Sequence, residues 1–138
     1  MAGQSFTRSI DSVAGIYRFS EDVMAAADID ESVRFTVHLA MEELFVNLVH
    51  YNPGARRNIM VDVEAAGGKV TVTITDQDAA EFDVTKQRPV DTGASLSERK
   101  PGGLGLHLIQ HMVDTLEYDY RDGRSKIRFS KEPETSDV

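Results

Sequence analysis

Apolar positions along the chain follow first a strand period, then a helical one, then a strand period again. "SFTRSI" (residues 5–10) alternates and is compatible with an opening strand. From Asp11 to about Ala27, Val13, Ile16, Tyr17, Val23 and Met24 fall near helical spacing, with Asp11 or Ser12 as the cap. Asp30 offers a fresh cap, and "SVRFTVHLAMEELFVNLVHY" runs on as a second helix until "NPGARRN" breaks it. "NIMVDVEA" and "KVTVTITD" then alternate, are rich in β-branched residues and are joined by "AGG", which predicts a hairpin. After Asp76 the pattern dissolves. Residues 77–103 hold few apolar side chains and contain Pro89, Gly93, Pro101, Gly102 and Gly103, as expected of a functional or a mobile loop. "LGLHLIQHMVDTL" predicts a third helix, with Leu104, Leu108, Ile109, Met112 and Val113 in phase. "EYDYRDGRSKIRFSK" predicts a second hairpin around "RDGR", and "EPETSDV" a polar tail.

Hairpins with helices segregated from them indicate an α+β fold with a mixed, mainly antiparallel sheet. At 138 residues, with no internal repeat and no linker, the expectation is a single domain over 1–138, its core about 6–131 and its tail 132–138. Hydrophobic content of 41% and charged content of 28% are ordinary for a soluble globular protein. The sequence has no cysteine, which removes disulfides, thiolate chemistry and cysteine-based zinc sites and fits a reducing, cytoplasmic setting. No apolar run approaches the ~18 residues of a membrane span, no signal-peptide pattern opens the chain, and Ala2 stands where N-myristoylation needs glycine. The net charge of −8 and the lack of a Lys/Arg cluster interleaved with aromatics argue against nucleic acid as a partner. Proteins or small molecules remain.

Three stretches carry candidate chemistry. On a helical wheel, Val37, Met41, Leu44, Phe45 and Leu48 group as an apolar stripe, while Glu43, Asn47 and His50 share a different face. A solvated amphipathic stripe accounts for such a face as well as a site does. Asparagine, however, competes with the helix backbone and is a poor mid-helix residue, which favours a site. In "KPGGLGLHLI", Gly102, Gly103 and Gly105 lead into a helix whose free amides suit an anion. A flexible loop ending in a helix reads the same way, and neither a Walker A loop nor G-x-G-x-x-G is present. In "TITDQDAAEFD", Asp76 ends a strand and serves either a turn or a ligand's amino group.

The order of these signals is more specific than any one of them. "LAMEELFVNLVHY", "ITDQDAAEFD" and "GGLGLHLIQHMVDTLEY" together resemble the GHKL ATPase superfamily, the fold of gyrase B and histidine-kinase ATP domains, from about Phe6 to Lys131. Within it the chain looks most like the short anti-sigma factor serine/threonine kinases of bacterial partner-switching systems. The resemblance implies a two-layer sandwich with helices on one face of the sheet. It implies ATP and Mg²⁺ as cofactors, with Asn47 as the metal-holding asparagine and Glu43 as the catalytic acidic residue that polarises the attacking hydroxyl. Asp76 matches the carboxylate that takes the adenine amino group. Gly102, Gly103, Leu104, Gly105 and Leu106 match the lid-to-helix junction that meets the phosphates, and residues 84–102 match the ATP lid. His50 shares the Glu43 face and joins the nucleotide-site candidates; a histidine favoured by the helix-end dipole reads equally well. Where the family keeps glycine two residues past the aspartate, this chain has Asp78, and the proline common after "FD" is Val84. Arg99 and Lys100 precede the glycines and are lid charges or γ-phosphate ligands.

The implied function is phosphorylation of a serine or threonine on an antagonist protein, with binding of a sigma factor or analogous regulator and possible homodimerisation. Two rivals stand beside it: a non-catalytic module that holds ATP or none and sequesters partners, and a detached histidine-kinase catalytic domain. The second lacks an accompanying helix with a phospho-acceptor histidine. His107 and His111 are spaced i, i+4 as metal ligands can be, but Leu108 stands where a zincin has glutamate and no third ligand is evident.

Overall fold

The computed structural model describes residues 2–51, 54–78 and 103–134. In chain order these form β1 (Ala2–Phe6), a 3-10 turn (Ile10–Ser12), α1 (Val13–Ala26), α2 (Glu31–Tyr51), β2 (Ile59–Ala66), β3 (Lys69–Asp76), α3 (Gly103–Met112), β4 (Thr115–Arg121) and β5 (Arg124–Lys131). The sheet order is β1-β2-β3-β5-β4. Every neighbouring pair is antiparallel, so the mixed sheet of the sequence reading narrows to a purely antiparallel one. The hairpins account for this. Gly67 (φ 62°) and Gly68 (φ 81°) turn β2 into β3, and Asp122 (φ 50°) and Gly123 (φ 81°) turn β4 into β5. Two consecutive left-handed residues match the twist of antiparallel strands, and glycine and aspartate tolerate them.

Period-two alternation divides the sheet into a dry face and a wet one. Ile59, Val61 and Val63 of β2, Val70, Val72 and Ile74 of β3, and Ile127 and Phe129 of β5 are buried. The alternate residues Met60, Glu64 and Arg128 are exposed. On the dry face lies α2, against β3 and β5, with α1 over β2 and α3 beside α2. Its Val33, Val37, Met41, Leu44, Phe45 and Leu48 are all buried. Burial of large apolar side chains on this scale, each contributing about 1.5–3 kcal/mol, supplies the driving force.

Two boundaries differ from the sequence reading. The first strand is Ala2–Phe6, not residues 5–10, because hydroxyls take over after Phe6. Ser12 Oγ donates to the Thr7 carbonyl at 2.8 Å, and Ser9 Oγ accepts from the Asp11 amide at 3.1 Å. Such local bonds compete with a strand ladder and turn the chain. Ser9 therefore caps the 3-10 turn, and Ser12 makes no side-chain cap to α1. The third helix stops at Met112, short of the predicted Leu116. Asp114 draws the chain out of it: its amide donates to Ser130 O at 2.8 Å, and its carboxylate accepts from the Glu132 amide at 2.7 Å.

Candidate functional site

Asn47 is 2% exposed, although it lies outside the apolar stripe of α2. Its Nδ2 donates to the Glu43 carbonyl at 2.8 Å, one turn back. That bond identifies the other amide atom as oxygen. Oδ1 is buried and has no hydrogen-bond partner among the described residues. A buried carbonyl without a donor costs about 1–3 kcal/mol. It is also the type of hard oxygen that Mg²⁺ takes while keeping waters for its other positions. The residue present therefore fits the cation that the sequence reading assigns to it.

Glu43, one turn earlier, is half-buried. Burial, and secondarily the charge of Glu42, raise its carboxyl pKa above the ordinary glutamate range. A carboxylate so disposed holds a proton more tightly and is a better base toward a hydroxyl. His50 is exposed. The shared face of the wheel thus runs from buried Asn47 through half-buried Glu43 to exposed His50.

Asp76 continues the inward column of Val70, Val72 and Ile74 and is 0% exposed. It is heavily engaged. Arg8 Nη1 donates to Oδ2 at 3.0 Å, Arg8 Nη2 donates to Oδ1, and the Asp78 amide donates to Oδ1 at 3.0 Å. Directly opposite in the β3–β5 register stands Ser125, 2% exposed, whose Oγ is without a partner among the described residues. Sequence reasoning missed both Arg8 and Ser125. Ser125 had a signal: it is in phase with Ile127 and Phe129, so a serine occupies an inward position at the end of an apolar column. Arg8 had none, because its partner lies 68 residues away.

Gly103, Leu104, Gly105 and Leu106 open α3, so the amides that a helix leaves without internal acceptors are theirs. Leu106 also anchors that helix in the core at 4% exposure. Gly102, Arg99, Lys100 and the proposed lid at 84–102 lie outside the described residues.

Asp78 occupies the family's glycine position without needing glycine's freedom: the left-handed non-glycine residues among those described are Asp28 and Asp122. Its Oδ2 accepts from the Arg56 amide at 2.7 Å and the Arg57 amide at 3.5 Å. Those bonds, in that order, hold its carboxyl below the usual aspartate range. Asp78 thus ties the end of β3 to the turn after α2. A depressed pKa means that this contribution is present above the ordinary aspartate value of 3.8 and is lost as pH falls through the lower folded value. Asp78→Gly is expected to lower the melting temperature slightly at neutral pH and to expose residues 54–58 to protease. Melting curves down a pH series should converge with wild type in acid.

Other groupings carry less. Ser20, His38 and Glu21 form a chain at 3.4 and 2.6 Å, but Ser20 is 0% exposed and its hydroxyl donates to Ile16 O at 2.8 Å, so it is no nucleophile. A groove of about 400 Å³ between α1 and α2, lined by Tyr17, Glu21, Arg34, Phe35 and His38, includes none of the predicted site residues. His107 and His111 pack edge to face at 4.9 Å on the exposed side of α3, and the described residues hold no cluster of three metal-binding side chains. Among them no helix is long and apolar enough to cross a membrane.

The pattern of the histidine kinase-like ATPase domain matches residues 6–131. The chain belongs to that family. A serine/threonine-protein kinase, BtrW of Bordetella bronchiseptica, is 33% identical over 93 residues, covering 66% of this chain and 65% of the relative. The chain therefore spans somewhat less than two thirds of that relative's length. Among solved structures, the RsbU and RsbW domains of Rv1364c from Mycobacterium tuberculosis superpose with a TM-score of 0.68 at 14% identity, over 95% of this chain and 31% of that one. The SiaB–SiaC complex of Pseudomonas aeruginosa gives a TM-score of 0.59 at 17% identity, over 95% of this chain and 89% of that one. At such identities the likeness is one of fold, an antiparallel sheet with helices on one face.

Proposed function

We propose that the protein is an ATP- and Mg²⁺-dependent serine/threonine protein kinase that acts as a homodimer, phosphorylates an antagonist protein and also binds a sigma factor or analogous regulator. The observation that carries this reading is the buried Asn47 Oδ1, desolvated and without a partner among the described residues, one turn from a glutamate of raised proton affinity. Membership in an ATPase domain family and the kinase relative support the nucleotide and the reaction class. Bound Mg-ATP would supply the phosphoryl group and the neutralising charge. Asn47 would hold the cation through Oδ1, which its Nδ2 bond to the Glu43 carbonyl keeps oriented. Glu43 orients the acceptor hydroxyl and takes its proton at the carboxylate. The amides of Gly103 to Leu106, at the α3 N-terminus, would receive the phosphates. Asp76 and Ser125, paired and buried on β3 and β5, would receive the base.

The test is transfer of labelled phosphate from ATP to candidate antagonist proteins, with the modified residue located by mass spectrometry. A labelled serine or threonine is the expected result; labelled histidine or no transfer to any partner overturns it. For the base site, Ser125→Ala is expected to weaken ADP binding about 3- to 10-fold, the value of one hydrogen bond of about 1 kcal/mol. Its melting temperature should hold, since the substitution deletes a hydroxyl that no described residue satisfies.

A second reading, a non-catalytic module that sequesters partners, is favoured by one observation: Asp76 is already bound by Arg8. Under that reading partner binding persists without any phosphate transfer, and Glu43→Gln leaves it untouched.

A further inference from the structure

We infer that Arg8 is a latch on the base site: its guanidinium occupies the carboxylate that adenine must use, so nucleotide entry requires exchange of one for the other at Asp76. The inference rests on the assignment of Asp76 to the adenine amino group. Both Asp76 oxygens carry Arg8 nitrogens, and the side chains of the pair are 6% and 0% exposed. A bidentate, charge-assisted fork is stronger than the single bond a neutral amine offers. The amine therefore cannot simply displace a fixed arginine. The arginine must have somewhere to go, and its present position must not be too favourable.

Two features meet those conditions. Arg8 Nε is buried and has no acceptor among the described residues, so the closed position leaves one donor unmet that water would satisfy outside. Arg8 also sits outside the sheet ladder, between the end of β1 at Phe6 and the 3-10 turn at Ile10, in a segment closed mainly by the hydroxyls of Thr7, Ser9 and Ser12. Moving it breaks no strand pairing. Nucleotide occupancy is thereby coupled to the placement of residues 7–12 at the sheet edge. By reciprocity, a partner that holds those residues away from the sheet raises nucleotide affinity by the same factor.

The experiment compares Mg-ADP binding by calorimetry in wild type and Arg8→Gln, with Arg8 guanidinium ¹⁵N resonances followed in wild type during the same titration. Release of a latch closed nine times in ten tightens binding about tenfold. That gain in Arg8→Gln, and passage of the wild-type Arg8 N–H signals from protected to rapidly exchanging at saturation, are the expected results. Wild-type binding with Arg8 still protected overturns the latch, even if Arg8→Gln folds poorly, and leaves the nucleotide site standing. Equal or weaker binding by a folded Arg8→Gln does the same. If neither protein binds Mg-ADP, the nucleotide reading itself falls and the latch with it.

Discussion

Asn47→Ala is expected to abolish Mg²⁺-dependent ATP binding while leaving the nucleotide-free fold as stable as wild type. The two halves of this expectation come from the same atom. Among the described residues no donor reaches the buried Oδ1, so the native residue already carries a cost of about 1–3 kcal/mol. Alanine removes that cost and is the better helix former. It also removes the Nδ2 bond to the Glu43 carbonyl, a contribution of about 1 kcal/mol. The opposing effects nearly cancel, and the melting temperature should move by no more than about 5 °C. Binding has no such compensation. Loss of even an outer partner of a metal site costs about 10–100-fold in affinity, and a direct ligand is expected to exceed that. Calorimetry with and without EDTA checks the assignment: chelation should weaken ATP binding to wild type and have no effect on the variant. Wild-type Mg-ATP affinity in Asn47→Ala would refute it.

Glu43→Gln is expected to slow phosphate transfer by about 10²–10⁴-fold, the usual contribution of a positioned general base, with ADP affinity nearly unchanged. Glutamine keeps the shape and can still accept a hydrogen bond, but it cannot take a proton. The pH dependence separates this role from a structural one. Burial raises the folded-state pKa of Glu43 above the ordinary 4.5. Its contribution to stability is therefore present in full below 4.5 and is lost as pH rises through the folded value. For catalysis the sign is reversed, since the base works only when ionised. Wild-type kcat/KM, which follows the ionisation of the free enzyme, should fall on an acid limb whose midpoint lies above 4.5, and that limb should be absent from the residual kcat/KM of the variant. A variant that retains the acid limb would assign it to another group.

The parts of the site that were readable in the chain were those written at short range. Glu43 and Asn47 are one helical turn apart, and 3.6-residue geometry is enough to bring them together. Asp76 sits in phase with Val70, Val72 and Ile74, and a period of two is enough to turn it inward. The hairpins were legible for the same reason, because "AGG" and "RDGR" supply left-handed positions at a two-residue loop. Boundaries were less legible. The first strand and the end of the third helix shifted because Ser12, Ser9 and Asp114 form bonds whose partners a periodicity does not reveal.

The sequence by itself determined the alternation of helical and strand periods, the acidic and cysteine-free character of the chain, and the positions of Glu43, Asn47 and Asp76 within their own elements. Tertiary structure alone decided what surrounds those positions. It paired Arg8 with Asp76 across 68 residues, set Ser125 opposite Asp76 on a neighbouring strand, and turned Asp78 onto the amides of Arg56 and Arg57. It also left Asn47 Oδ1 without a donor among the described residues and His50 exposed, although one wheel face holds both residues. The physical reason is common to all of these. Periodicity states which way a side chain points from its own backbone, whereas desolvation and ion pairing depend on what other elements place in front of it.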